Sequence, residues 1–246
     1  MTAGKASEKT FIWRFLAAFV IPFLLLVGRY RFRNLDRLPQ GAYILTANHY
    51  TNFDPLVTAY TLWRAGRVPR FLAKAGLFRV PVLGAALRAT GQIPIERANV
   101  NAGGADPLAA ASRLVEDGLA LIIYPEGTLT RDPDLWPMRG KYGAVRLALE
   151  HDIPIIACAQ WGAQQILPRY SKRLSLFPRK NVDVLIGEPV DLSRWKDKPR
   201  TSATYAEATN AVMQEITKLL EELRGEKAPA ERWDPSDHGQ TEFGKL

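Results

Sequence analysis

Apolar residues are distributed along the chain in three textures. From Phe11 to Val27 they are almost continuous, interrupted by Arg14 and Pro22. Beyond Asn34 they recur as short runs bounded by turn residues, which predicts strands at Tyr43–Ala47, Phe71–Ala73, Gln92–Ile95, Leu119–Tyr124, Ile153–Ala159 and Val182–Ile186. Helical spacing fills the gaps near 55–65, 80–89, 106–117 and 140–150. Strands alternating with helices predict an α/β domain whose mixed, mostly parallel sheet is flanked by helices. Gly91 and Pro94 assign the Gln92–Ile95 strand to an edge or a bulge. In the third texture, Ala208, Val212, Ile216, Leu219, Leu220 and Leu223 recur at three- and four-residue steps, so a long helix near 204–223 is expected to pack on the sheet. After Gly225 the chain is polar and carries prolines, the composition of a mobile tail.

The N-terminal run is short for a bilayer core, which takes roughly 20 apolar residues. It ends in Gly28-Arg29-Tyr30-Arg31-Phe32-Arg33 with no small-residue cleavage site, unlike a signal peptide. Basic flanks with Trp13, Tyr30 and Phe32 nearby predict a helix in the headgroup region of one leaflet; the alternative is a helix packed on the protein's own core. The expected organisation is a membrane-associating segment at 1–30, a catalytic domain at 31–224 and a tail at 225–246.

Charge narrows the partner. The 246 residues carry a formal net charge of +8, which favours nucleic acid, an acidic membrane surface or a phosphorylated small molecule. Arg64, Arg67, Arg70, Lys74, Arg79, Arg88 and Arg97 face one acid, Glu96, over residues 61–100, and a second basic stretch runs through Arg169, Lys172, Arg173, Arg179 and Lys180. Both are diluted with apolar residues and lack a recognition-helix pattern, so nucleic acid is not the expected partner. The lone Cys158 closes no intrachain disulfide, and with histidines at 49, 151 and 238 no zinc-ligand spacing exists; no metal site is expected. Gly-x-Ser-x-Gly, phosphate-loop and Rossmann glycine patterns do not occur.

Among the histidines, His238 falls in the tail and His151 where a helix stops, a capping position. His49 ends a strand, and Asp54 precedes Pro55 as an N-cap precedes a first helical residue. If the intervening turn joins them, the carboxylate fixes the tautomer of His49 and makes it a general base; otherwise Asp54 is a plain cap. Arg97 ends another strand with a planar fork suited to phosphate. Tyr124-Pro125-Glu126-Gly127-Thr128 runs a strand into a turn where Gly127 permits close approach of a ligand and Glu126 offers an acceptor to a substrate hydroxyl. Ligands of α/β sheets gather beyond the carboxyl ends of parallel strands, where these residues are expected. Cys158, in an apolar strand, is expected in the core. A base without a protein nucleophile suggests that the substrate's own hydroxyl attacks, which is the logic of a transferase.

These residues resemble the 1-acylglycerol-3-phosphate acyltransferase family over roughly 30 to 190. Asn48-His49 with Asp54 is similar to its His-x4-Asp motif, Gly91 to Arg97 to its Gly-x-Ile-x-Ile-x-Arg block, Tyr124 to Thr128 to Phe-Pro-Glu-Gly-Thr, and Ile153 to Ala157 to Val-Pro-Ile-Val-Pro. The resemblance implies a glycerophosphate acyltransferase-like fold and a catalytic His49–Asp54 dyad. It also implies that Arg97 holds the acceptor phosphate, that Glu126 positions the glycerol, and that Gly127 and Thr128 lie at the ligand. Lys74 is implied to share the phosphate, and Arg139 and Lys141 are basic candidates for phosphate or coenzyme A, with a structural surface role as their alternative. Leu129 stands where the family usually has arginine, leaving Arg131 as the nearest cation.

The implied activity moves an acyl chain from acyl-coenzyme A or acyl carrier protein to lysophosphatidic acid, giving phosphatidic acid, without a cofactor. The implied location is the cytoplasmic face of the cell membrane, peripheral or monotopic. The alternatives are another lysophospholipid or glycolipid acceptor, and a lipid-binding membrane protein without turnover.

Overall fold

Strand β2 (Tyr43–Ala47) is buried along its whole length. Tyr43, Leu45 and Ala47 point into one apolar cluster and Ile44 into another, so this strand needs cover on both faces, as a central parallel strand does. In the computed structural model, which describes residues 8–95, 112 and 116–241, β2 lies between β5 (Ala120–Ile123) and β6 (Ile155–Trp161) and runs parallel to both. The sheet has the order β1-β7-β6-β2-β5, with β1 (Gly28–Arg33) parallel to β7 (Lys180–Pro189) and β7 antiparallel to β6. It is a mixed, mostly parallel sheet, as the alternation of elements predicts.

Helices α1 (Phe11–Val27) and α2 (Asp54–Arg64) cover one face, where Leu24, Val27, Val57 and Leu62 join Tyr43 and Leu45. Helices α4 (Gly143–His151) and α6 (Ser202–Arg224) cover the other, where Leu147, Val212 and Ile216 join Ile44, Leu121 and Ile155; α3 (Pro81–Ala89) precedes α4 and the short α5 (Ser193–Lys196) precedes α6 in the chain. The stripe read at three- and four-residue steps is the face α6 buries; a fully buried side chain such as Ile216 is worth about 2–5 kcal/mol against alanine. Gly225 ends α6 at φ 67°, the left-handed conformation that glycine adopts without steric cost.

Three expectations need correction, and a fourth falls mostly outside the described residues. Strands β3 (Leu72–Lys74) and β4 (Ile93–Ile95) form their own parallel pair, tied to β5 through a Phe71–Ile122 bridge, so Pro94 sits in a two-stranded ribbon where its missing N–H is tolerated. Residues 28–33 read as a basic flank but form β1. Their arginine–aromatic alternation has the period of a strand: Tyr30 and Phe32 meet the Tyr60 ring edge-on at 5.5 and 5.3 Å, while Arg31 and Arg33 pair with Asp183 and Glu222. The boundary expected after residue 30 therefore cuts through β1. The helix expected near 106–117 lies mostly outside the described residues.

Finally, residues 226–241 lie on the domain rather than leaving it as a tail. The Trp233 carbonyl accepts the Arg139 N–H at 2.9 Å, Asp234 pairs with Arg139 at 3.1 Å, Arg232 donates to Asn210 at 3.2 Å, and the Trp233 and His238 rings stack at 3.5 Å. Such contacts are ionic, aromatic and backbone, and leave no apolar periodicity in the sequence.

No helix among the described residues is long and apolar enough to cross a membrane. Helix α1 buries Leu24 and Val27 while Phe11, Phe15, Phe19 and Leu26 remain exposed on its other side. Its inner face is core and its outer face is an apolar stripe.

Candidate active site

The site is built where β2 and β5 end side by side. Their register pairs Thr46 with Ile123, so His49 and Glu126 each stand three residues beyond paired positions. Asn48 fixes the end of β2 to β6: its side-chain N–H donates to the Gln160 carbonyl at 3.0 Å and its oxygen accepts the Gln160 N–H at 2.9 Å.

Asp54 closes the following turn. Its Oδ2 accepts the backbone N–H groups of Tyr50 at 2.7 Å and Thr51 at 2.9 Å, and lies 3.0 Å from His49 Nδ1. The expectation that Asp54 caps its own helix is corrected. Phe53 is the N-cap of α2 and makes no side-chain cap bond; the Asp54 carboxylate turns backward onto the amides three and four residues before it, a local side-chain-to-backbone bond. That backward turn is what brings residues five apart into contact. With Nδ1 held by the carboxylate, Nε2 is the ring nitrogen left for a substrate. Asp54 is wholly buried, and burial raises its carboxyl pKa above the ordinary value, opposed by the His49 ring and the two amides. The imidazole stacks on Tyr124 with centroids 4.1 Å apart and planes 19° apart, and the Tyr124 hydroxyl meets Thr58 Oγ1 of α2 at 2.7 Å. The ring is thus braced on one face and at one nitrogen while keeping 14% of its side-chain surface open.

Glu126 faces inward. It is buried completely, its Oε1 accepts the His49 N–H at 2.8 Å, and its Oε2 accepts the Met138 N–H at 3.1 Å. The sequence-based role, an acceptor for a substrate hydroxyl, is corrected because both oxygens are engaged by amides beneath the surface. Burial pushes this carboxyl up to about 8, against the downward pull of the same two amides. On the other side of the histidine backbone, Thr130 N–H donates to the His49 carbonyl at 2.6 Å. The segment 126–130 therefore grips His49 from both backbone directions. Gly127 sits at φ 72°, the left-handed conformation that favours glycine, and a Cβ there would press on the Lys141 side chain, 3.3 Å from its Cδ. Thr128 is half-buried beside it.

The basic candidates divide. Lys141 borders the turn, its N–H donating to the Pro125 carbonyl at 2.7 Å. Arg139 is turned to Asp234 and the C-terminal segment instead. Arg131, the cation nearest the missing arginine, is 2% exposed and presents no surface to a headgroup. Register places the backbone of Lys74 beside Ile95, two residues before Arg97; Arg97 itself lies outside the described residues. Part of the first basic stretch is structural: Arg67 and Arg70 both pair with Glu8, and Arg67 also donates to the carbonyls of Pro39, Gln40, Gly41 and Gly118.

Sequence reasoning missed Tyr124 as the platform under the imidazole, Gln160 as the partner of Asn48, and Arg169, whose guanidinium donates to the carbonyls of Thr130 at 2.7 Å and Asp132 at 2.6 Å. Tyr124 was visible as the first residue of the Tyr-Pro-Glu-Gly-Thr block; nothing in the sequence marks Gln160. Cys158 lies in the core of β6, and burial pushes its thiol up to about 12. Among the described residues no group of His, Cys, Asp and Glu is placed to hold a metal ion. A cavity of about 680 Å³ between α6 and the C-terminal segment, lined by Trp136, Asn210, Lys218, Arg232 and Trp233 among others, includes neither His49 nor Asp54.

The profile of the acyltransferase family matches residues 29–161, which takes in β1, the His49–Asp54 turn and the strand to Trp161. A chloroplastic 1-acyl-sn-glycerol-3-phosphate acyltransferase of Brassica napus is 29% identical over 160 residues, covering 64% of this chain and 44% of the relative, so the match spans less than half of that protein. A 1-acyl-sn-glycerol-3-phosphate acyltransferase of Haemophilus influenzae is 28% identical over 183 residues, covering 73% of this chain and 70% of the relative. The crystal structure of the 1-acyl-sn-glycerophosphate acyltransferase PlsC from Thermotoga maritima superposes with a TM-score of 0.67 at 19% identity, over 93% of this chain and 86% of that one, a likeness of fold. With more than half of its length matched by the family profile, this chain belongs to the acyltransferase family, in which the two relatives above are 1-acyl-sn-glycerol-3-phosphate acyltransferases.

Proposed function

We propose that the protein transfers a fatty acyl chain from acyl-coenzyme A or acyl carrier protein to the free hydroxyl of 1-acylglycerol-3-phosphate, forming phosphatidic acid. The observation that carries this reading is the 3.0 Å contact of His49 Nδ1 with buried Asp54, on a ring braced by Tyr124 at the carboxyl end of a parallel strand. Nε2 accepts the proton of the acceptor hydroxyl as its oxygen attacks the thioester carbonyl. The C–S bond then breaks, and the departing thiolate takes the proton back from Nε2, so the histidine ends as it began. Asp54 stabilises the imidazolium in between.

In this reading Arg97 and Lys74 hold the acceptor phosphate, with Lys141 beside the Gly127–Thr128 turn as a further contact for phosphate or coenzyme A. Glu126 is a positioning residue that acts through the His49 backbone. The names of the relatives support lysophosphatidic acid as the acceptor. The exposed stripe of α1 supports a peripheral or monotopic seat on a membrane, which this reading places on the cytoplasmic face, with the acyltransferase domain following it.

The test is a screen of lysophospholipid acceptors against acyl-coenzyme A and acyl carrier protein donors, using purified protein in mixed micelles. Preferential acylation of lysophosphatidic acid is the expected result. Equal use of other headgroups overturns the acceptor assignment, and no transfer to any acceptor overturns the enzymatic reading.

A further inference from the structure

We propose that residues 172–180 form a second membrane-contact loop, which together with α1 seats the His49 end of the sheet on a bilayer containing anionic lipids. This deepens the membrane part of the reading above and is independent of its acyl chemistry.

The loop has the composition of an interface rather than of a solvated connection. Leu174, Leu176 and Phe177 are 46%, 36% and 66% exposed, and among the described residues no packing covers these three large apolar side chains of one loop. Lys172, Arg173, Arg179 and Lys180 flank them, and no Asp or Glu occurs between Asp152 and Asp183. Exposed apolar side chains with cations on either side in the sequence match a surface whose interior is hydrocarbon and whose rim is anionic. The same charge pattern opposes a second copy of the chain as the occupant, since pairing would bring these cations together.

The position of the loop supports a shared seat with α1. Arg179 donates to the Gly28 carbonyl at 2.8 Å, and Gly28, the C-cap of α1, pairs in register with Lys180. The loop therefore ends beside the last turn of α1, where Leu25 and Leu26 are 44% and 50% exposed. Phe11, Phe15, Phe19 and Leu26 continue that apolar stripe along the helix at steps that share one face. In its middle, between Leu174 and Leu176, the loop is tied toward the site: Ser175 N–H donates to the Ile166 carbonyl at 2.8 Å, and the Thr51 hydroxyl donates to the neighbouring Leu167 carbonyl. On the α1 side, Phe23 meets Phe53, the neighbour of Asp54, at 6.4 Å. The two apolar elements thus flank the His49–Asp54 turn, and seating both on a bilayer brings that turn to the membrane surface.

The test uses the full chain with α1 intact. Sedimentation with phosphatidylcholine vesicles, with and without phosphatidylglycerol, is compared for the wild type and a Leu174→Ser, Leu176→Ser, Phe177→Ser variant. The variant is expected to lose about tenfold or more in partitioning, while Lys172→Gln with Arg173→Gln loses about tenfold on phosphatidylglycerol vesicles only, an effect that salt removes. Acyl transfer to a short-chain, water-soluble acceptor is expected to stay at the wild-type level in these variants, which separates failure of the loop from failure of the acyl chemistry. Unchanged vesicle binding by the triple variant overturns the proposal. So does loss of self-association with vesicle binding retained, which would make the patch a face between copies. A Phe177→Trp variant guards against misfolding: its fluorescence is expected to be quenched by brominated lipids beyond the quenching of the wild type, whose six tryptophans include Trp13 in α1, and no added quenching in vesicle-bound protein overturns the proposal.

Discussion

Glu126 holds His49 by its backbone: Oε1 accepts the histidine N–H at 2.8 Å from a position without solvent exposure. Burial raises the Glu126 carboxyl from its ordinary 4.5 to about 8, so the folded chain binds this proton more tightly than the unfolded chain does. The resulting stability is fully present below about pH 4.5 and is lost as pH rises through about 8. Glu126→Gln removes that titration but sets an amide NH2 against one of the two backbone N–H groups, at a cost of about 1–3 kcal/mol. The variant is expected to be less stable than the wild type near about pH 5, with the gap narrowing toward about pH 9. Melting temperature against pH checks this; a constant gap contradicts it.

Tyr124 is a platform whose hydroxyl is dispensable. Tyr124→Phe keeps the ring under His49 and loses the contact with Thr58, whose hydroxyl still reaches the Asp54 and Pro55 carbonyls. Its expected cost is about 1 kcal/mol of stability, with turnover within about twofold of wild type. Tyr124→Ala removes the stack and is expected to lower turnover about tenfold or more, because the imidazole loses a wall. Steady-state kinetics of the two variants side by side distinguish ring from hydroxyl.

Arg97→Ala is expected to raise the KM for lysophosphatidic acid about tenfold or more while leaving the KM for the acyl donor unchanged. An unchanged acceptor KM removes Arg97 from the phosphate site.

The parts of this fold legible in the sequence are those governed by periodicity. The continuous apolar run gave α1, the short runs gave the sheet strands β2, β5, β6 and β7, and the stripe through Ala208, Val212 and Ile216 gave the buried face of α6. What periodicity could not carry was decided by single contacts. Arg29, Arg31 and Arg33 concealed an edge strand because their outward charges dominated its composition. Trp233 and Asp234 dock through one carbonyl and one ion pair, which no pattern announces. In the site, the spacing of His49 and Asp54 proposed a contact, and the backward turn onto the Tyr50 and Thr51 amides supplies it. Glu126 was found in the right turn with the wrong direction, because a sequence does not say whether a carboxylate at a strand end points out to a ligand or down to a buried amide.

The dyad is tested most directly by the acyl-transfer rate of purified His49→Ala toward lysophosphatidic acid, measured beside its melting curve. The side chain is clamped rather than clamping: its neighbours Asp54, Glu126 and Thr130 keep their backbone bonds to residues 49–51 when the ring is removed. Asp54 loses only one of its three partners. The account predicts a cooperative melt close to wild type and a transfer rate lower by roughly 10²–10⁴. Turnover at the wild-type rate in a folded His49→Ala protein contradicts it.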